Sequence, residues 1–169
     1  FPGFGNPPEF YFFWVLPRNL FSRVCGWIAD LRLPGPLLHA LISFFCRIYR
    51  IDLAEAELPL ERYHSFNEFF TRKLRAELRP LPEQTDAVLC PVDGSLGEFG
   101  AISKGILIQA KGLVYRLEDL LEDPERVTYY EGGYFLTFYL APYNYHRIHS
   151  VADGMVRDFA YIPGDLWTV

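Results

Sequence analysis

Several common functional signatures are absent from this sequence of 169 residues. Its three cysteines, Cys25, Cys46 and Cys90, are too widely spaced to form a metal or redox motif. An odd, dispersed set of this kind indicates a reducing compartment rather than a disulfide-bonded fold. The Walker loop, the Gly-x-Ser-x-Gly elbow of hydrolases and the His-Glu-x-x-His motif of zinc proteases are also missing.

An excess of positive charge is also lacking, since the formal net charge is -5, which argues against a nucleic-acid partner. No apolar run is long enough for a membrane span, because the run at residues 10–16 ends at Pro17. Hydrophobic residues make up 50% of the chain, enough for one core and a small second unit. Phe1 and Val169 look like cut ends, so we expect a piece of a longer protein.

The N-terminal part, residues 1–62, is predicted to be an extended arm followed by helices. Apolar residues recur at helical spacing from residue 18 to about residue 33, and a second helix is predicted from about Leu37 to Tyr49. The basic residues of this part are Arg18, Arg23, Arg32, Arg47 and Arg50. Two interpretations fit: helices packed on the body, or helices lying in the plane of an anionic membrane surface. We favour the second, because Trp, Phe and Arg are typical of interfacial helices.

The remainder, residues 63–169, is predicted to be a β-rich domain. Ser65 and Glu68 form a capping-box pattern for a helix that runs to about Leu74. Short apolar runs then alternate with glycine, and they predict strands at residues 87–90, 94–97, 105–108, 134–140 and 154–162. One helix, residues 117–121, interrupts them. The fold class is therefore α+β, with N-terminal membrane-associated helices before a β-rich, sandwich- or barrel-like catalytic unit.

Chemistry is most plausible at two histidines, His146 and His149, which follow the predicted strand 134–140. They could be a packed pair among tyrosines, or metal ligands, although no convincing third ligand lies nearby. With Asp93, which follows the predicted strand 87–90, either histidine could form two thirds of a nucleophilic triad. Ser95 and Ser150 lie beside these residues, but neither is presented as a nucleophile.

Together these segments resemble the phosphatidylserine decarboxylase family, from about Leu16 to Val169. The resemblance rests on five motifs in the family's order: residues 66–72 (FNEFFTR), 91–94 (PVDG), 109–112 (QAKG), 145–149 (YHRIH) and 161–166 (YIPGDL). Val151 departs from the family, whose members often have proline there. The larger departure is that the chain stops before the family's Gly-Ser self-cleavage site.

The resemblance implies a lyase that converts phosphatidylserine to phosphatidylethanolamine and CO2 in phospholipid biosynthesis. Its cofactor would be a pyruvoyl group, formed by self-cleavage on a serine beyond Val169, which makes a Schiff base with the substrate amine and serves as electron sink. Asp93 and His149 match the family's charge relay for self-cleavage, and His146 matches the residue that assists protonation after decarboxylation. No residue of this chain would bind a cofactor, and no metal is implied.

The resemblance also implies the partners. They are the C-terminal alpha chain of the same proenzyme, phosphatidylserine and an anionic membrane surface, with a homo-oligomer left open. The protein would lie peripherally on the cytoplasmic face of the cell membrane, and residues 1–169 alone would be inactive. Two alternatives stay open: a membrane-associated Ser/His/Asp hydrolase with its serine outside this chain, and a non-catalytic membrane-binding fragment.

Overall fold

The computed structural model describes residues 18–84, 86–110 and 113–162. Its helices are α1 (Arg18–Asp30), α2 (Gly35–Tyr49), α3 (Phe66–Phe70), α4 (Leu117–Leu121) and α5 (Pro124–Tyr130). Its strands are β1 (Ser95–Ala101), β2 (Ile106–Ala110), β3 (Leu113–Arg116) and β4 (Tyr134–Tyr139). Short 3-10 turns lie at Leu53–Glu55, Leu60–Arg62 and Ala76–Leu78. The α+β class is confirmed, whereas the predicted arm and the motif residues 111–112 and 163–166 lie outside the described residues.

The helical region, residues 18–74, has a core built by α2 and α3. The buried residues Leu38, Ile42 and Cys46 recur every fourth position and so share one face of α2. They pack with Tyr63 and Phe69, and the Tyr63 and Phe69 rings meet edge to face with centroids 5.5 Å apart. Pro34 precedes α2 and Arg50 ends it in the left-handed conformation. The predicted second helix is therefore confirmed.

The first helix, α1, ends at Asp30 rather than near residue 33, and much of its apolar surface faces outward. Its exposed large apolar side chains are Leu20, Phe21, Val24, Trp27 and Ile28. Asp30 ties its end to α3, because its Oδ1 accepts a hydrogen bond from Asn67 Nδ2 at 2.7 Å. Across the described ranges, the helices are too short or too polar to cross a membrane.

The Ser65 N-cap is confirmed, while Glu68 accepts from the residue before the cap, and the helix that follows is shorter than predicted. The Ser65 hydroxyl accepts from the Glu68 N–H at 3.1 Å, and the Glu68 carboxylate accepts from the His64 N–H at 2.7 Å. The helix ends at Phe70, not near Leu74. Residues 73–75 instead pair with residues 55–57 through backbone hydrogen bonds of 2.9 and 3.0 Å, and this pairing requires extended backbone.

The strand region, residues 95–139, contains two antiparallel pairs, β1 with β4 and β2 with β3. A small core of Ile102 and Leu117 lies beneath them. Three of the predicted strands, 94–97, 105–108 and 134–140, correspond to β1, β2 and β4. The predicted strands 87–90 and 154–162 are wrong. Residues 87–90 make one cross-chain backbone bond, Leu89 N–H to Val151 O at 2.8 Å, and residues 154–161 are exposed.

The fifth helix, α5, was not predicted, although its start carries a recognisable signal. Asp123 accepts hydrogen bonds from the Glu125 and Arg126 N–H groups, each at 3.1 Å, and Pro124 occupies the first helical position. An acidic N-cap accepts hydrogen bonds from unpaired N–H groups at the helix start, and proline at the first helical position has no N–H that needs a partner.

Candidate active site

The histidine segment, residues 145–149, is positioned by a turn and by the segment that carries Asp93. Asn144 closes the turn after β4, where its Oδ1 accepts from the Ala141 N–H at 2.7 Å. The His149 N–H donates to the Pro91 carbonyl at 2.9 Å. This bond holds the backbone of residues 91–93 beside His149, so the structure brings the two sequence-predicted motifs together.

Asp93 lies in a bend before β1 rather than at the end of a strand. The next residue must be small, because a Cβ on Gly94 would lie 2.7 Å from the Tyr139 carbonyl oxygen of β4. Glycine therefore allows the Asp93 segment to pass close to β4, and the Asp-Gly pair does more than form a turn.

The Asp93 carboxylate is bound by Arg79. Arg79 Nε lies 2.9 Å from Oδ2 and 3.1 Å from Oδ1, and its Nη2 also contacts Oδ2. This hydrogen-bonded pairing raises the pKa of the Arg79 guanidinium. Sequence reasoning missed Arg79, which lies in an irregular segment where no periodicity marks it.

His149 interacts with Tyr145 rather than directly with Asp93 in the hydrogen bonds seen among the described residues. Its Nε2 lies 2.9 Å from the Tyr145 hydroxyl, and the two rings stack with centroids 5.4 Å apart. Tyr145 is buried, which fixes the hydroxyl. A tyrosine four residues before a histidine was visible in the sequence, but only the fold shows that the two side chains meet.

His146 has a drier environment. Its ring stacks on Phe70 with centroids 4.1 Å apart, and its Nε2 lies 3.1 Å from the Ala141 carbonyl oxygen. Burial lowers the pKa of His146, and the nearby Arg72 charge lowers it further. Because a carbonyl only accepts, Nε2 carries the hydrogen, and Nδ1 of the neutral ring is left as a base.

The motif at residues 66–72 supports the histidine segment. Phe70 provides the surface on which His146 stacks, and the Thr71 carbonyl accepts from Arg147 Nε at 2.8 Å. The next residue, Arg72, is buried and lines a cavity shared with Asp93 and Tyr145. Two segments more than 70 residues apart are therefore joined at this site.

The arrangement is suited to proton transfer. Asp93 and Tyr145 line a cavity of about 220 Å³, and His149 contacts the Tyr145 hydroxyl. Within the described ranges, no group of three or more His, Cys, Asp or Glu side chains could hold a metal ion. The roles assigned from sequence to Asp93, His146 and His149 stay predictions, since geometry alone does not assign a reaction.

Comparison with known proteins gives a consistent match. The profile of the phosphatidylserine decarboxylase family matches residues 66–169. Proteins named phosphatidylserine decarboxylase proenzyme are 43% identical over 158 residues in Ectopseudomonas mendocina (strain ymp), 45% over 159 in Bordetella petrii and 40% over 155 in Myxococcus xanthus. These alignments cover 92% of this chain and 54–55% of the relatives.

The chain thus spans about half the length of the curated relatives it matches. The matched range holds the Phe70–Arg72 motif, Asp93 and both histidines, and the structure brings the segments that carry them together. The shared residues and the family match lead to one conclusion: this chain belongs to the phosphatidylserine decarboxylase family.

Proposed function

We propose that this chain is the N-terminal part of a phosphatidylserine decarboxylase, which releases CO2 from phosphatidylserine to form phosphatidylethanolamine. The observation that carries the proposal is the backbone bond between His149 and Pro91, which brings Asp93 and the histidine segment together. The relatives are named as proenzymes of this enzyme. A proenzyme is processed before it acts, so the site must serve two steps in succession.

In the first step, His149 and Asp93 promote self-cleavage. His149 takes the proton of a serine hydroxyl, contributed by the rest of the proenzyme, that attacks its preceding carbonyl. Asp93 orients and stabilises the imidazolium that forms. A carboxylate has about four lone-pair sites, so Asp93 can accept from His149 while Arg79 holds it. Tyr145 keeps the His149 ring in place before the serine arrives.

In the second step, His146 handles the proton of the decarboxylation cycle. The pyruvoyl group supplies the electron sink for the bonding pair that remains when CO2 leaves. The residues present fit such a group, because Asp93, Asn144 and Tyr145 line the cavity with polar groups and His146, whose pKa is lowered by burial, follows Tyr145 directly in the chain. Nδ1 of the neutral ring can take a proton from the substrate ammonium and return that proton after CO2 leaves, while the Ala141 carbonyl and Phe70 fix the orientation of the ring.

The proposal also includes the location of the protein on a membrane and its partner chain. The outward apolar side chains and arginines of α1 would hold the protein peripherally on an anionic membrane, on the cytoplasmic face of the cell membrane. The C-terminal chain of the same precursor would complete the strand region as a sandwich- or barrel-like unit. Exposed β1 and β4 rings such as Phe99 and Tyr134 are the surface it would cover.

The test uses the full-length proenzyme. Intact mass should show two chains, and carboxyl-labelled phosphatidylserine should release labelled CO2. Purified 1–169 alone should release none and should be poorly soluble. A protein that stays as one chain and releases fatty acid or free serine instead of CO2 would be a hydrolase, and CO2 release by 1–169 without a second polypeptide would exclude pyruvoyl chemistry.

A further inference from the structure

A cavity of about 220 Å³ adjoins the candidate active site and contains an unexplained buried charge. The cavity is lined by residues from both the helical region and the histidine segment. Those that matter here are Arg50, Glu55, Arg72, Arg79, Asp93 and Tyr145. Because Tyr145 contacts His149, a group bound in this cavity would lie beside the reacting part of the site.

Arg72 is the unusual residue of this cavity. It is only 5% exposed, and its Nε and Nη1 have no hydrogen-bond partner among the described residues. Its described close contact is with the face of the Phe69 ring, 5.0 Å from the centroid. Burial lowers the pKa of Arg72, but a guanidinium remains charged in proteins. A buried charge without a hydrogen-bonded partner is strongly unfavourable, so an anion is expected to complete this site.

The charged groups of the cavity are equal in number but unevenly paired. Arg79 is engaged with Asp93, and Asp52 Oδ1 accepts from the Ala54 N–H at 2.8 Å. In formal charge, Arg50, Arg72 and Arg79 balance Asp52, Glu55 and Asp93, but Nε and Nη1 of Arg72 donate to none of these carboxylates. The Nε and Nη1 donors of Arg72 are therefore left for a bound acceptor, such as the oxygen of an anion.

We propose that this cavity binds the phosphodiester of the substrate headgroup, with Arg72 as the buried contact and Arg50 at the rim. The inference rests on the proposed function. The phosphodiester fits better than the substrate carboxylate, because a guanidinium on the carboxylate would stabilise the charge that must be lost as CO2 leaves. A phosphodiester keeps its charge throughout the reaction, so binding it positions the headgroup without opposing the chemistry.

The test measures kinetics of the processed full-length enzyme with a short-chain, water-soluble phosphatidylserine, which removes membrane binding from the assay. Arg50→Gln and Arg72→Lys should self-cleave normally. Each should raise KM by about tenfold or more, the loss expected for one charged hydrogen bond, with a smaller change in kcat. Arg62→Gln is the matched control, because Arg62 is exposed and lies outside the cavity.

Competition identifies which anion the cavity recognises. Glycerophosphoserine should inhibit the wild-type enzyme competitively and inhibit Arg50→Gln much less, whereas free serine should not compete. Inhibition by inorganic phosphate but not by glycerophosphoserine would assign the cavity to free phosphate and overturn the headgroup proposal.

Two further results would overturn it. One is an unchanged KM in both variants. The other is an unchanged KM in Arg50→Gln together with failure of Arg72→Lys to fold or self-cleave, which would mean that a carboxylate from the rest of the protein pairs with Arg72. The proposed function fails separately, if the wild-type enzyme releases no CO2 at all.

Discussion

The helical and strand regions bury their apolar residues very differently. Ile42 and Phe69 of α2 and α3 are completely buried, whereas Phe99 of β1 and Tyr134 of β4 are 71% and 79% exposed. The helical region thus builds its own core, whereas the β1–β4 pair leaves large aromatic rings exposed. Isolated two-stranded pairs are marginally stable at best, and the relatives are nearly twice as long as the aligned part.

The candidate site lies where the two regions meet. His146 stacks on Phe70 of the helical region, while the Asp93 segment leads directly into β1. The well-packed helical region therefore orients His146, and the segment that leads into β1 carries the Asp93 carboxylate. Substitutions on either side should affect the site in different ways.

The largest effect is expected on self-cleavage. In the full-length proenzyme, His149→Ala removes the base and Asp93→Asn removes the charge that stabilises the imidazolium, so both should leave one uncleaved chain on a gel. Asp153→Asn, an exposed carboxylate after the same segment, serves as control and should be cleaved normally. Normal processing of both His149→Ala and Asp93→Asn would refute the relay.

The next largest effect is expected on the free energy of unfolding, which tests the difference in burial between the two regions. Denaturant unfolding of the full-length protein should show that Phe69→Ala costs about 3–5 kcal/mol, as for a buried aromatic ring. Phe99→Ala should cost about 1–3 kcal/mol, because we expect the rest of the protein to bury much of this ring. A change within about 0.5 kcal/mol, typical of surface sites, would show that the β1–β4 face stays open.

A smaller effect is expected on membrane binding. Each arginine near an anionic surface contributes about 1 kcal/mol. Replacing Arg18, Arg23 and Arg32 with Gln should weaken co-sedimentation of the full-length protein with anionic vesicles, most strongly at low salt. Arg62→Gln and Arg157→Gln remove surface charge outside α1 and α2 and should have little effect. Binding that is unchanged and independent of salt would favour purely apolar docking or none.

The smallest effect concerns the titration of His146. Burial against Phe70 disfavours the imidazolium, so NMR of the full-length protein should show a pKa below the ordinary value of 6.5. Phe70→Ala should move it back towards 6.5. As the pH falls, the unfolded chain binds a proton at His146 at a higher pH than the folded chain does. The contribution of His146 to stability is therefore fully present above pH 6.5 and is lost as the pH falls through the folded-state pKa. Titration at or above 6.5 in the wild type would contradict this environment.

Much of the helical region could be predicted from the sequence, because its signals are local. Apolar periodicity predicted α2, and the Ser65 capping box predicted the start of α3. The end of α3 could not be predicted, because residues 73–75 pair with residues 55–57, and such pairing leaves no local signal. The failed strand at residues 154–162 has the same cause, since apolar runs form strands only where a neighbouring strand pairs with them.

The site was predictable as a set of residues but not as a set of contacts. Motif resemblance selected Asp93, His146 and His149, and the structure places their segments together. Motif resemblance could not reveal that Arg79 binds Asp93, or that Nε and Nη1 of the buried Arg72 have no hydrogen-bond partner among the described residues. These contacts join side chains distant in sequence or in irregular segments, where spacing carries no information.

The central claim is that two histidines three residues apart serve two successive steps. The most direct test is His146→Ala in the full-length proenzyme, assayed in parallel for chain cleavage and CO2 release. We expect normal cleavage into two chains and a loss of CO2 release of about 10²–10⁴-fold, the contribution of a general acid. An uncleaved His146→Ala protein, or a cleaved one with full activity, would contradict the division of roles between His146 and His149.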